Sequence, residues 1–199
     1  MPLTTYTAGD VLTAASLNAN FSFAAGGGGL AFINTTSFTT ATSVSLPANT
    51  FSSTYTNYRV LLTLTAVSTT GNITGRFRTA GTDNTSARYF QMSTGLNFSG
   101  TASNQADSAT TSFTLGSQGT AAFPAYSIVL DFFRPAQSAF PKNVSGSLVF
   151  FDGSTYIGRA INAMHDNNSV AFSADSFSFI SSAASSMTGT VQAYGYSLS

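Results

Sequence analysis

The chain has 199 residues, of which 7% are charged, with a formal net charge of zero, no cysteine, no glutamate and one lysine, Lys142. That balance excludes disulfides and thiolate metal sites and removes the basic surplus that nucleic-acid binding draws on. Solvation falls to 30 Ser and 29 Thr, which suit a pleated, half-exposed surface better than a helix face.

Residues 1–25 stand apart from the rest. Val11, Ala14, Leu17, Phe21 and Ala24 recur at three- and four-residue spacing, which is helical. Thr13 caps a short helix running to about Asn20. One or two turns are not stable alone in water, so the segment needs a surface to dock on: its own body, sister chains or another protein. Val11, Leu12, Leu17 and Phe21 are the candidate attachment residues. Gly26, Gly27, Gly28 and Gly29 follow, either a plain linker or a tight passage where sister backbones meet. The chain divides into an arm over residues 1–29 and a body over 30–199.

From Leu30 onward the pattern is strands. The clearest is Tyr58–Val67, where Tyr58, Val60, Leu62, Leu64 and Ala66 share one face. In residues 72–80, Ile73 and Phe77 oppose Arg76 and Arg78 in parity. Further strands are expected over 31–38, 41–46, 87–94, 110–116, 126–133, 143–151, 155–163, 169–180 and 187–197. Turn chemistry separates them, as at Gly71-Asn72, Asp152-Gly153 and Asp166 to Asn168. About ten short strands without a long amphipathic helix give an all-β fold. The expected architecture is an antiparallel two-sheet sandwich, jelly-roll-like, with a short N-terminal arm containing a small helix. Residues 100–112 are the most polar stretch of the body and read as a long exposed loop.

The start, MPLTTYTAGD, has no basic n-region or apolar h-region, so no secretory signal is expected. No apolar run approaches the roughly 20 residues of a membrane helix. Small polar residues on both faces of most strands argue against a lipid-facing barrel.

Catalytic raw material is scarce. His165 is the only histidine and Asp166 follows it. Sequence neighbours do not make a nucleophile–base–carboxylate relay, and both read as turn or surface residues. The seven Asp are scattered, and none stands in a D-x-D-x-D calcium pattern. Neither a metal nor another cofactor is expected, and the chain reads as a non-enzyme. Arg76, Arg78 and Arg88 gather with Arg59 in the first half of the body. They either pair with Asp83 or Asp131 or recognise an anionic surface glycan. Tyr194 and Tyr196 share a face of the last strand. Core packing, a subunit interface and sugar stacking are all open to them.

Three stretches carry a family likeness. YTAGDVLTAASLNANF (Tyr6–Phe21) resembles the short N-terminal segment of many tailed-phage virion proteins, fibre-type ones especially, with its T-A-G-x-V-L-T-A-x-x-L-N-A-x-F pattern. VSLPANTFSSTYTNYRVLLTLTA…RFRTAGTDNTSARY (Val44–Tyr89) looks like the body of small phage fibre or decoration proteins. TGTVQAYGY (Thr188–Tyr196) resembles the closing strand of that body. The resemblance implies a trimeric, non-enzymatic virion protein of the short tail-fibre type. Its arm would attach to other virion proteins of the tail, baseplate or capsid, and its body would face a host surface glycan. Nucleic-acid binding and membrane insertion are not expected. The same parts fit a capsid decoration or cement protein. A carbohydrate-binding module is the reading from another class.

Overall fold

The alternation of apolar and hydroxyl side chains is resolved, among the described residues, into thirteen strands. The computed structural model describes residues 29–117, 126–167, 171–182 and 185–197, with Gly9, Thr13 and Ala15 as isolated positions. Val11, Leu12, Leu17 and Phe21, the rest of the expected arm helix and Gly26–Gly28 lie outside the described residues. The strands are β1 (Gly29–Ala41), β2 (Ser43–Ser45), β3 (Asn57–Val67), β4 (Asn72–Thr79), β5 (Thr82–Asp83), β6 (Tyr89–Asn97) and β7 (Gln105–Thr110). There follow β8 (Phe113–Ser117), β9 (Tyr126–Phe133), β10 (Lys142–Phe151), β11 (Tyr156–His165), β12 (Ser176–Ser181) and β13 (Met187–Ser197).

They form two sheets with antiparallel pairing throughout. The larger has the order β1-β13-β3-β9-β10-β11-β6-β7, and the smaller β2-β12-β4-β5 with β8 also on β4. The expected two-sheet sandwich is the observed fold. Three expectations are corrected. Residues 100–112 are not simply a loop, because 105–110 form the edge strand β7. The strand expected over 169–180 begins only at Ser176 within the described residues. Gly29 is not linker but the first residue of β1, at φ 137°, paired with Ser197.

The core lies between the sheets. Tyr58, Val60, Leu62 and Leu64 of β3 point inward, as the sequence indicates, but Ala66 is exposed and Val67 is buried. The register explains it: Leu64 faces Gly189 and Ala66 faces Thr188, so Thr65 is an extra, bulged residue. A one-residue bulge flips every side chain beyond it. From the smaller sheet, Phe77 is the hub. Its ring meets those of Tyr89, Phe113, Phe132 and Phe177 at 5.4–6.4 Å. Gly75, beside it on β4, gives this packing room, since a Cβ there would lie 2.4 Å from the Phe177 ring.

Polar side chains stitch the layers where the apolar contact ends. The Tyr89 hydroxyl of β6 accepts from the Phe77 N–H at 3.1 Å and donates to the Asn84 carbonyl at 2.9 Å. Tyr126 of β9 donates to the Leu115 carbonyl of β8 at 2.8 Å. Gln91 of β6 acts as a piece of strand: its amide donates to the Thr114 carbonyl at 2.9 Å and its oxygen accepts the Thr114 N–H at 2.7 Å. Replacing Gln91 with Leu orphans both backbone groups of Thr114. The expected loss is about 2–6 kcal/mol by urea denaturation, from roughly 1–3 kcal/mol for each of the two unsatisfied groups. A variant within about 0.5 kcal/mol of the parent would contradict the assignment.

Candidate functional site: the outer face of the larger sheet

Two outer faces remain once the core is made, and they differ. The smaller sheet shows Arg76 and Arg78 among hydroxyls. Arg76 donates to the Thr111 carbonyl at 3.0 Å, and Arg78 lies 3.3 Å from Asp83 and also donates to the Gly81 carbonyl. Arg88 lies just before β6 and pairs with Asp166 at 3.8 Å. Arg59 does not join them. It stands on the larger sheet, across a sandwich whose layers sit ~10 Å apart. The expected four-arginine cluster is therefore split between two faces, with Arg76 and Arg78 together on one strand face as the sequence indicates.

The larger sheet's outer face is mixed and largely uncharged. The register aligns one row across all eight strands: Phe32, Tyr194, Arg59, Asp131, Ser145, Asn162, Met92 and Ala106. The next row runs Asn57, Phe133, Asn143, Met164, Phe90. Six exposed large apolar residues sit on this face: Leu30, Phe32, Met92, Leu96, Phe133 and Val149. Scattered exposed apolar residues are ordinary; their gathering on one face makes that face the candidate contact surface.

Tyr194 and Tyr196 do share this face, beside the β1 edge. Phe32 packs edge-on to Tyr194 at 5.7 Å. Asp131 is the local centre. It takes a bidentate pair from Arg59 at 2.8 and 2.7 Å and the Tyr196 hydroxyl at 2.6 Å, and Arg59 lies over the Tyr196 ring at 5.6 Å. Burial alone would raise the Asp131 pKa; the Arg59 guanidinium and the Tyr196 hydroxyl outweigh it and hold the carboxyl below its usual range. Burial and then Asp131 push the Tyr196 phenol up. The ion pair is thus neutralised within the face.

Two concavities lie on the same face. One of about 630 Å³ is bordered by Asn57, Phe133, Arg134 and Asn143, and one of about 400 Å³ by Phe90, Met92, Asp107 and Met164. Both include Asn162 and Ala163, so they are contiguous. Single-sequence reading missed these residues. Parity alone places Asn143 and Asn162 on outward faces, but their meeting depends on cross-strand register.

His165 is not a turn residue. It ends β11 at 2% exposure, against the rings of Tyr89 and Phe172 at 4.7 and 4.9 Å. Its Nε2 is 3.1 Å from the Ser86 hydroxyl, which lies 2.6 Å from Asn84 Oδ1 and donates there. Burial holds the imidazole pKa below its ordinary value, so it sits as a neutral core group. A cavity of about 230 Å³ beside it is lined by Asn84, Arg88 and Phe172. Among the described residues no group of three His, Asp or Glu side chains could hold a metal ion.

Lys142, opposite His165 in the β10–β11 register, is fully buried. Its ammonium donates to the carbonyls of Gln137 and Phe140, tying down the turn before β10, and lies 5.8 Å from the Phe172 ring. Burial, helped by Arg134, lowers its pKa to about 8. The unfolded chain binds more protons than the native one between that value and about 10.4. Stability carried by this group therefore rises with pH across that window. Urea midpoints should show the parent gaining on Lys142→Met from about pH 8 towards pH 10; a constant gap would contradict the assignment. The comparison cancels Tyr89 and Tyr126, whose buried hydroxyls act in the opposite sense.

Comparison with family models, with curated proteins and with solved structures finds no match to this chain.

Proposed function

We propose that this chain is a non-enzymatic building block of a phage particle, of the short tail-fibre type. Three copies assemble, the arm over residues 1–29 attaches them to other virion proteins, and the sandwich faces the host. One observation carries the self-assembly in this reading: the open edge of β1. β1 is thirteen residues long, pairs among the described residues only with β13, and contains neither a charge nor a proline. Soluble monomers blunt such edges with charge, proline, brevity or bulges. β1 has only the bulges, at Ile33 and at Thr39–Thr40, and between them Asn34–Phe38 run in regular register. The opposite edge, β7, is six residues long and carries Asp107.

The position of this edge supports the rest. The arm runs directly into it at Gly29, and Leu30, Phe32, Tyr194 and Tyr196 lie beside it. Leu30 and Phe32 are 43% and 60% exposed. A net charge of zero sets no repulsion against a neighbouring copy. A ring of three needs a heterologous contact, β1 of each copy meeting a different surface of the next. The likeness of the arm and body to phage fibre proteins supplies the particle.

Sedimentation equilibrium at micromolar concentration should give the mass of three chains. Thr35→Lys with Ser37→Lys places two charges on exposed positions of β1 and should return the mass to one chain while leaving the urea midpoint almost unchanged. A parent protein that sediments as a monomer or a dimer would overturn the reading.

A further inference from the structure

We infer that the concave outer face spanning β3 and β9 to β7 is a binding groove for a neutral, hydroxyl-rich ligand, an oligosaccharide. This rests on the host-attachment reading and deepens it by naming the ligand class and its place.

The shape comes first. The two contiguous concavities, about 630 and about 400 Å³, make a trough across six neighbouring strands rather than one closed pocket. A trough suits an extended chain of similar units. The chemistry follows from the rows of side chains. Asn57, Asn143 and Asn162 stand on β3, β10 and β11, all lining the larger concavity. Asn143 and Asn162 are exposed, and neither side chain makes a hydrogen bond among the described residues. Each such amide offers two donors and an acceptor, the set that vicinal hydroxyls satisfy in both directions.

Apolar surface alternates with the amides. Phe133 and Met164 flank Asn143 in register, and Met92 faces Asn162. Flat or flexible apolar side chains between fixed polar groups are what a ligand with both C–H and O–H faces requires. Charge argues the same way. Arg134 borders one end, with its guanidinium 4.5 Å over the Phe140 ring, and Asp107 borders the other, accepting from Gln105 at 3.0 Å. One positive and one negative group leave the trough without net charge. It has no basis for selecting a phosphate, a sulfate or a nucleic acid. A second copy of the chain is the rival occupant, and the sedimentation arm of the test below distinguishes it from a ligand.

The groove is separate from the arginines of the smaller sheet, so the two faces can be told apart by mutation. The test is titration calorimetry of the full-length protein against a panel of neutral hexasaccharides of glucose, mannose and N-acetylglucosamine, with sedimentation of the same samples. The parent should bind at least one member. Asn143→Ala with Asn162→Ala should weaken that binding by about tenfold or more, at unchanged mass and unchanged thermal midpoint, while Arg76→Ala leaves it as it was. Failure of every hexasaccharide to bind, binding that survives the double substitution, or a double variant whose oligomeric mass changes instead would each overturn the assignment. Because mass and binding are read separately, loss of the groove and loss of the trimer are distinct results.

Discussion

A sandwich of thirteen strands in a chain that is 7% charged must be solvated by hydroxyls and amides, and that scarcity of charge governs the rest. Inside, it leaves aromatic rings as the main filler, gathered around Phe77, with buried phenols and one glutamine joining the layers. The few ionic groups are spent locally: Asp131 on Arg59 and Asp83 on Arg78. Among the described residues, Lys142 has backbone carbonyls and no carboxylate in hydrogen-bond reach. Outside, the same scarcity leaves one sheet edge and one sheet face without the charges that normally keep proteins apart.

Edge and face are linked by a single pairing. Among the described residues β1 pairs only with β13, so the first and last strands of the body lie side by side and bring Gly29, Tyr194 and Tyr196 to one end of the larger sheet. The trough occupies the other strands of that sheet. The β1 edge and the trough share no residue, so each can be altered by substitution without touching the other. The smaller sheet, with its engaged arginines, backs the core and presents neither feature.

The sandwich was legible because every second residue of β3 over Tyr58–Leu64 and of β9 over Tyr126–Phe132 is a large apolar or aromatic side chain turned inward. It failed where a local rule was overridden. Ala66 faces solvent because Thr65 bulges, and no pattern in the sequence marks that residue. β7 looked like loop because an outer strand with no buried face keeps no apolar parity. His165 was masked by the turn-forming Asp-Asn-Asn that follows it, although its own strand carries it into the core. The trough was illegible for a deeper reason. Asn57, Asn143 and Asn162 are far apart in the chain, and only the register of three strand pairings brings them together. The arm residues Val11, Leu12, Leu17 and Phe21 keep their sequence-based role as attachment candidates.

The central claim is that the outer edge of β1 is covered by another copy of the chain. Amide hydrogen exchange reads this directly, since alternate N–H groups of Asn34–Phe38 point away from β13. If the edge is an assembly surface, those outward amides exchange as slowly as their β13-bonded neighbours at high protein concentration and speed up on dilution. Exchange at the rate of a free strand edge, at every concentration, would contradict it.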